Sequence, residues 1–360
     1  MIITPFLYFF VLAQTLDWKP ADPGYTPSLP RDHASHPDNK LEWWYYTGNL
    51  DASDGRRFGY QLTFFRVGIV AKPANPSRWA VRDLHMAHFA ISDIGRSEFR
   101  FTERLNRAGI GWAGALANEY HVWNEDWEAE LDDKGRHILR ARDRDQAIEL
   151  TLEPLKTAVL HGEQGYSQKG AQEGNASHYY SLTRMQTRGR LRIGNEAIEV
   201  TGSSWMDHEF GTSFLEQGQI GWNWFSIQLD DSTEIMFYAF RRRDDETDPR
   251  SGGTFVDKNG QYVKLQGGDV NLEPVRTWKS KMTGAVYPVE WKLGIPSHRI
   301  EITLKAALDN QELNMKDSTG VIYWEGAVDV GGTRDGRSVR GRGYLEMTGY
   351  AGQTLDRVLN

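Results

Sequence analysis

The chain has 360 residues, with 42 Lys and Arg against 49 Asp and Glu, and therefore a net charge of −7. At about 150 residues per domain, this length predicts roughly two domains. The acidic balance argues against nucleic acid as a partner, because proteins that bind phosphate backbones carry clusters of basic side chains. After the N-terminal segment, no apolar run is long enough to cross a bilayer as a helix.

The N-terminal segment is apolar over residues 1–13 and polar at Gln14 and Thr15. This pattern is typical of a secretory signal peptide over residues 1–15, and it predicts a secreted or periplasmic protein with no further transmembrane segment. Residues 16–35 contain four of the 13 prolines and are predicted to form an extended linker. The absence of Cys excludes disulfides and a thiolate nucleophile, and it suits an oxidising compartment.

From residue 36 onward the chain consists of strand-like segments separated by turn signals. With 36 Gly and 12% aromatic residues, the composition favours strands and tight turns over long helices. The sequence therefore predicts an all-β fold. The strand-like segments of the first half are residues 42–50, 56–67, 84–92, 121–131, 137–143, 147–154, 177–193 and 197–205.

Two pairs of segments recur in the two halves of the chain. Residues 44–66 match residues 224–241, and the difference is mainly in the length of the turn, where insertions are tolerated. Residues 189–207 match residues 326–346, so that Glu346 takes the place of Asp207 in the second copy. Chance similarity between short hairpins is the alternative explanation.

This recurrence predicts an internal duplication of one antiparallel unit. Each copy is expected to close into a barrel of about eight strands. The predicted boundaries place a first barrel at residues 36–215 and a second barrel at residues 216–360.

Four motifs together resemble a known family. The family comprises predicted secreted hydrolases related to a bacterial attachment protein and, more distantly, carotenoid 1,2-hydratase, kievitone hydratase and fungal Diels-Alderases. The resemblance covers nearly all of the chain after residue 30, and it implies a pair of lipocalin-like β-barrels that handle a hydrophobic ligand, either an isoprenoid or another lipid. The motifs are HPDNKLEWWYYTGNL (36–50), SSWMDHEFG (203–211), GWNWFSIQL (221–229) and GRGYLEMTGY (341–350).

The resemblance also implies candidate catalytic residues. Hydratases of this group use an acid in an aromatic-x-Asp step and a His-x-aromatic pair 29 residues upstream of that acid. The matching positions here are Trp205 and Asp207, and His178 and Tyr180. The hydratase pattern has Tyr at the position of Trp205 and Trp at the position of Tyr180, so the match does not specify a carotenoid as substrate.

These residue types suit the acid-catalysed addition of water to an alkene. Protonation of the alkene needs a neutral carboxylic acid, and burial beside Trp205 would raise the pKa of Asp207. His178 could accept a proton or orient the attacking water. The aromatic faces of Trp44, Trp224 and Tyr180 could bind the ligand and stabilise a carbocation by cation–π attraction.

Several alternatives remain open in the sequence. Asp207 could instead make structural hydrogen bonds at a barrel rim, and Glu346 is expected to be structural. A bulge at Gly202 could exchange the faces of the strand that carries Asp207. Trp44 and Trp224 could be core residues. At the level of the whole protein, a non-catalytic lipid carrier or an envelope interaction protein would use the same barrels.

Motifs for other chemistries are missing from the sequence. No Ser stands in a G-x-S-x-G elbow, and the Gly-rich segments lie between strands, where they cannot cradle phosphate at a helix N-terminus. Two pairs of His residues, His33 with His36 and His85 with His88, are spaced by three. On a strand this spacing directs the two rings of a pair to opposite faces. We therefore predict neither a cofactor nor a metal site.

Overall fold

The computed structural model describes residues 18–212, 215–216, 218–244 and 248–352. The predicted signal peptide, residues 1–15, lies outside the described residues. Within the described ranges nearly all of the regular secondary structure is β-strand, which confirms the predicted all-β fold class. No helix in those ranges is long and apolar enough to cross a membrane. The helical elements there are the short 3-10 turns Arg31–His33, Gly267–Asp269 and Pro296–His298.

The strands form two antiparallel sheets, one of thirteen strands and one of ten. The first sheet consists of β1 (Leu41–Ala52), β2 (Arg57–Gly68), β3 (Asp83–Asp93), β4 (Glu98–Arg107), β5 (Ala113–Ala115), β6 (His121–Asn124), β7 (Trp127–Leu131), β8 (His137–Arg142), β9 (Gln146–Pro154), β10 (Val159–Leu160), β11 (Tyr166–Gln168), β12 (Ala176–Ile193) and β13 (Glu196–Gly211). The second consists of β14 (Gln219–Leu229), β15 (Glu234–Arg242), β16 (Gly252–Val256), β17 (Tyr262–Gln266), β18 (Asn271–Lys279), β19 (Val286–Ile295), β20 (Ile300–Ala306), β21 (Glu312–Met315), β22 (Val321–Arg334) and β23 (Arg337–Met347).

The two sheets share one topology. In each sheet the first strand pairs with the last, as β1 with β13 and β14 with β23. The sequence repeats therefore occupy equivalent places, with β1–β2 corresponding to β14–β15 and β12–β13 to β22–β23. Both sheets curl into nearly closed barrels, which confirms the predicted lipocalin-like pair. Each sheet has more strands than the eight predicted, because short strands of two to five residues, such as β10 and β5, extend the ladders.

Alternating side chains fill the interior of each barrel. Trp44, Tyr46 and Leu50 of β1 point into the first core, and their neighbours point outward. Phe225 and Ile227 of β14 do the same in the second core. Since these interiors are packed with aromatic and aliphatic side chains, the outward faces of the strands are what remains to build a binding site.

The alternation of side chains settles the direction of Asp207. Met206 and His208 of β13 point into the first barrel, and Asp207 points outward. The bulge considered at Gly202 is not found, because Gly202 pairs in register with Leu50. A register shift occurs instead in the neighbouring strand β12, between Leu182 and Met185.

The described part of the predicted linker packs against the first barrel. Trp18, Ala21 and Asp32 are buried, and so is His33. The Trp44 indole donates a hydrogen bond to the main-chain oxygen of His33 at 2.9 Å. This segment, from residue 18 onward, therefore covers one end of the barrel and does not act as a free spacer.

The two barrels pack through the outward faces of their first and last strands. Arg342 pairs with Asp51 across this seam at 2.7 Å, and the Asn49 amide donates to the Gly343 carbonyl at 3.1 Å. Lys156 of the first barrel pairs with the buried Glu234 of the second at 2.6 Å. Polar and charged contacts therefore hold the two barrels together, and a cleft remains between them.

Candidate functional site

A cleft between the barrels encloses a cavity of about 140 Å³. A single water needs only ~10–15 Å³ on this measure, so the cavity has room for an organic group. Outward faces of both barrels line it. The aliphatic and Phe side chains of the lining are Leu41, Phe65, Val67, Met86, Phe240 and Val321, and its Trp and Tyr side chains are Trp43, Tyr45, Tyr179, Trp222, Trp224, Tyr238 and Tyr323.

Asp207 lies in this cleft and is 4% exposed. Its Oδ1 accepts hydrogen bonds from the Trp205 indole at 2.6 Å and from the Ser181 hydroxyl, and its Oδ2 accepts one from the Tyr179 hydroxyl at 2.8 Å. These donors favour the carboxylate, but burial outweighs them and raises the pKa of Asp207 to about 7. Asp207 can therefore give up or take up a proton near neutral pH.

A buried histidine stands behind this carboxyl. His161 Nε2 lies 2.6 Å from the Ser181 hydroxyl, and His161 Nδ1 lies 2.8 Å from the Thr254 hydroxyl of the second barrel. Burial lowers the pKa of His161 to about 3, so the ring is neutral. In the consistent assignment Thr254 donates to Nδ1, Nε2–H donates to Ser181, and Ser181 donates to Asp207.

Two further carboxyls enter the cleft from the second barrel. Glu346 and Glu325 are cross-strand neighbours, and the Trp222 indole donates to Glu346 at 3.1 Å. Burial, reinforced by the charge of Asp207, raises the pKa of Glu346 to about 7. Burial, with the charge of Glu346 added, raises the pKa of Glu325 well above its usual range. The cleft therefore holds protonated acids at neutral pH.

An ion pair of the first barrel also lines the cleft. Lys169 Nζ lies 2.7 Å from Glu209 Oε1, and both side chains are buried. The ammonium also lies 5.1 Å from the ring centre of Tyr179 and 5.0 Å from that of Tyr238. This pairing compensates the charge of Glu209.

Trp224 occupies the centre of the aromatic wall. Its ring meets Tyr45 edge-to-face at 5.2 Å and Trp205 at 6.2 Å, and its indole donates to the Tyr179 hydroxyl at 3.1 Å. The Tyr45 hydroxyl faces Glu325 without a hydrogen bond of good geometry, and Glu325 Oε1 has no partner among the described residues. These two atoms can therefore receive a polar group of a ligand.

The structure separates the residues that the sequence assigned to one site. Asp207 and Trp224 line the cleft, and Trp205 contacts both of them. His178 and Tyr180 lie on the opposite face of β12, because their neighbours Tyr179 and Ser181 are the residues that point to Asp207.

The residues on the opposite face belong to the end and interior of the first barrel. The Tyr180 hydroxyl lies 2.7 Å from His33 Nδ1, and His178 accepts a hydrogen bond from the main-chain nitrogen of Asp22 at 3.2 Å. Trp44 is fully buried in the first core and stacks on His208 at 4.9 Å. A shared cavity for Asp207, His178, Tyr180 and Trp44 therefore does not form. Direct roles for His178, Tyr180 and Trp44 in the reaction stay predictions.

One buried group has ligand types that suit a metal ion. His36, Glu42 and His208 lie close together, with His36 and His208 each near Glu42 Oε1 at 2.9 and 3.0 Å. However, Glu42 also binds the Arg66 guanidinium at 3.1 Å and the Ser35 hydroxyl at 2.7 Å. An ion would have to displace these bonds beside a cation, so the group is suited to a structural role.

Comparison with known proteins places the chain in a family. A family model described as AttH-like matches residues 20–350. The chain belongs to the AttH-like family. A solved structure described as an AttH from Nitrosomonas europaea is 35% identical, with a TM-score of 0.83, and the match covers 92% of this chain and 99% of that one.

Two curated relatives of this AttH-like chain are enzymes. Kievitone hydratase of Fusarium solani subsp. phaseoli is 24% identical, and dehydratase asqC of Emericella nidulans is 23% identical. The matches cover 58% and 56% of this chain, and it spans only 58% and 57% of those two proteins. The solved kievitone hydratase of Nectria haematococca is 16% identical over 94% of this chain and 98% of its own, with a TM-score of 0.71, and it shares the fold.

Sequence reasoning missed part of the AttH-like cleft. Tyr179 and Ser181 carry a signal, because they alternate with His178 and Tyr180 and therefore share the face of Asp207. The repeat pairs Glu346 with Asp207, but no sequence pattern predicts that both lie in one cleft. For His161, which contacts Ser181 from a loop between short strands, no sequence signal was found.

Proposed function

We propose that this AttH-like protein is a hydro-lyase that adds water to, or removes it from, an apolar small molecule bound between the barrels. The observation that carries this proposal is Asp207, a buried carboxyl with a pKa of about 7 that faces an aromatic cleft. The hydratase and dehydratase among its relatives support the same reaction class.

In the hydration direction, the protonated carboxyl of Asp207 donates its proton to one carbon of an alkene. The other carbon becomes a carbocation, which the π faces of Trp224 and Tyr45 stabilise. Water then bonds to the cation, and the resulting oxonium returns a proton to the Asp207 carboxylate. Dehydration follows the same steps in reverse. If the cation loses a proton from a neighbouring carbon instead, the same site acts as an isomerase.

The lining favours a largely apolar substrate. Phe65, Met86 and Phe240 contribute hydrocarbon surface, and Tyr45 and Glu325 can hold one polar group. A lipid or isoprenoid meets this description. From the sequence of residues 1–15 alone, we propose that the protein meets its substrate outside the cytoplasm.

The proposal is tested on ligand that accompanies the protein. Native mass spectrometry of protein purified from its own host identifies any copurified molecule, which is then incubated with the protein in H₂¹⁸O. We expect hydration to add labelled oxygen, or dehydration to remove one water, with the wild-type chain. Asp207→Asn should lose at least a hundredfold in rate, because general acids typically contribute 10²–10⁴-fold, and should still bind the molecule.

The matched control is Asp93→Asn. Asp93 is also buried and lies at the end of β3 outside the cleft lining, so its variant should keep the wild-type rate. An Asp207→Asn variant with full turnover would overturn the acid mechanism. A bound molecule that neither protein alters would indicate a carrier.

A further inference from the structure

Two neighbouring loops of the first barrel expose large apolar side chains. We call residues 69–82, between β2 and β3, and residues 105–112, the end of β4 and the loop that follows it, the loop surface. Trp79 is 62% exposed and Trp112 is 56% exposed. The other exposed apolar residues of the loop surface are Ile69, Val70 and Leu105.

The two loops are held together. Arg78 Nε donates to the Gly109 carbonyl at 3.1 Å, and the Arg107 guanidinium lies 5.0 Å from the Trp79 ring centre. The main-chain nitrogen of Ile69 donates to the Arg82 carbonyl at 2.8 Å, which ties the base of the longer loop. The two loops are therefore braced against each other.

The charge of the loop surface is opposite to that of the chain. Its two ranges contain Lys72, Arg78, Arg82 and Arg107 and neither Asp nor Glu, whereas the whole chain carries −7. Arg82 pairs with Asp83 at 2.7 Å. Among the described residues, no ion pair joins Lys72, Arg78 or Arg107 to an acid. Glu125 is an acid at the rim, where its main-chain nitrogen donates to the Trp112 carbonyl.

The loop surface adjoins the cleft. Phe65 and Val67 of β2 line the cavity, and Ile69 continues the same alternating row beyond the strand. Leu41 and Met86 pack with Val67 at this end of the cleft. Trp18 packs against Gly68 at the base of the longer loop. The apolar residues 1–13 therefore precede in the chain a residue that lies beside the loop surface.

We propose that the loop surface docks the protein on a bilayer that contains anionic lipid, with this end of the cleft toward the membrane. Exposed Trp with interspersed Lys and Arg is the combination that favours the lipid interface, because indole rings settle among the headgroups and cations are drawn to anionic lipid. An apolar ligand would then pass from the bilayer along the row from Ile69 to Phe65. The docking itself does not depend on the chemistry proposed for Asp207.

The test is cosedimentation of the full chain with vesicles of phosphatidylcholine and phosphatidylglycerol at 7:3, and of phosphatidylcholine alone. We expect binding to the anionic vesicles that weakens at high salt. The double variant Trp79→Ser/Trp112→Ser and the double variant Lys72→Glu/Arg78→Glu should each lower the partition coefficient at least tenfold. Leu155→Ser is the matched control, because Leu155 is 56% exposed, like Trp112, but lies outside the loop surface.

Other occupants give different results. Anchoring by residues 1–13 alone would give vesicle binding that both double variants retain, and this would overturn the proposal. The proposal would also be overturned if the wild-type chain did not bind the anionic vesicles at low salt. Self-association that Trp79→Ser/Trp112→Ser abolishes, measured by sedimentation velocity without lipid, would assign the surface to a second copy of the chain.

Discussion

Asp207 and Glu346 hold equivalent positions in the two barrels, and both line the cleft between them. Asp207 lies in β13 and Glu346 in β23, the last strand of each sheet. The charge of each raises the cost of ionising the acids around it, and burial raises the pKa of each to about 7. The duplication has therefore brought two copies of one acidic position into one cleft.

This pair predicts a stability that falls as pH rises. The pKa of Asp207 is 3.8 in the solvent-exposed unfolded chain and about 7 in the folded protein. Between these values the unfolded chain binds fewer protons than the folded one, so the free energy of unfolding decreases with pH. The contribution of Asp207 to the free energy of unfolding is complete below about pH 4 and is lost as the pH rises through 7. This decrease in the free energy of unfolding is on the order of a few kcal/mol, and the double variant Asp207→Asn/Glu346→Gln should lack it.

Urea unfolding at several pH values measures this decline. Glu312→Gln is the control, because Glu312 is a buried acid of the second barrel that does not line the cleft, and it should keep the wild-type slope. Equal slopes for the wild type and the double variant would show that these two carboxyls do not remain protonated in the folded protein.

The contact of His161 with Ser181 predicts an effect on the acid itself. His161→Phe removes the donor to Ser181, which weakens the hydrogen bond from Ser181 to the Asp207 carboxylate. We expect the pKa of Asp207 to rise by roughly half a unit or more. The carbonyl stretch of the protonated carboxyl, followed by infrared difference spectroscopy against Asp207→Asn, reports this titration. Thr254→Val should shift it in the same direction, and Thr254→Ser should not. If His161→Phe does not change the pKa of Asp207, the role of His161 is purely structural.

The buried pair of Lys169 and Glu209 predicts non-additive destabilisation. Lys169→Met leaves the Glu209 charge buried without its cation, which should cost about 3–5 kcal/mol in the free energy of unfolding. Glu209→Gln in the same chain removes that charge, so the double variant should recover much of the loss. A double-mutant cycle by chemical denaturation measures the coupling. Additive losses would mean that the two groups do not compensate each other.

Trp44 and Trp224 are expected to respond differently to the same substitution. Trp44→Phe removes the hydrogen bond to the His33 carbonyl inside the first barrel, and it should cost about 1–3 kcal/mol of stability with little change in ligand binding. Trp224→Phe alters the cleft wall and should weaken retention of the copurified ligand about tenfold. Thermal unfolding and native mass spectrometry give the two readouts. Loss of ligand with Trp44→Phe at unchanged stability would restore the ligand-binding role predicted from the sequence.

Much of the fold could be predicted from the sequence because its signals are local. Strand alternation, turn residues and the two matching hairpins all report on neighbours along the chain. The same locality explains what was missed at the site. The family motif groups His178 and Tyr180 with Asp207. On β12, however, side chains alternate between the two faces of the sheet, so His178 and Tyr180 point away from Asp207. Glu346 reaches the cleft, and Thr254 reaches His161, only through the packing of one barrel on the other, which no short-range pattern encodes.

The seam between the barrels also bears on how such a chain could have arisen. Neither copy of the unit encloses the chamber by itself, since each supplies only one of its walls. We expect a single-copy ancestor to have built it by pairing two identical subunits, with two identical acids opposed across a symmetry axis. Fusion of the two genes would have freed each acid to diverge, and Asp207 on one wall with Glu346 on the other is the outcome.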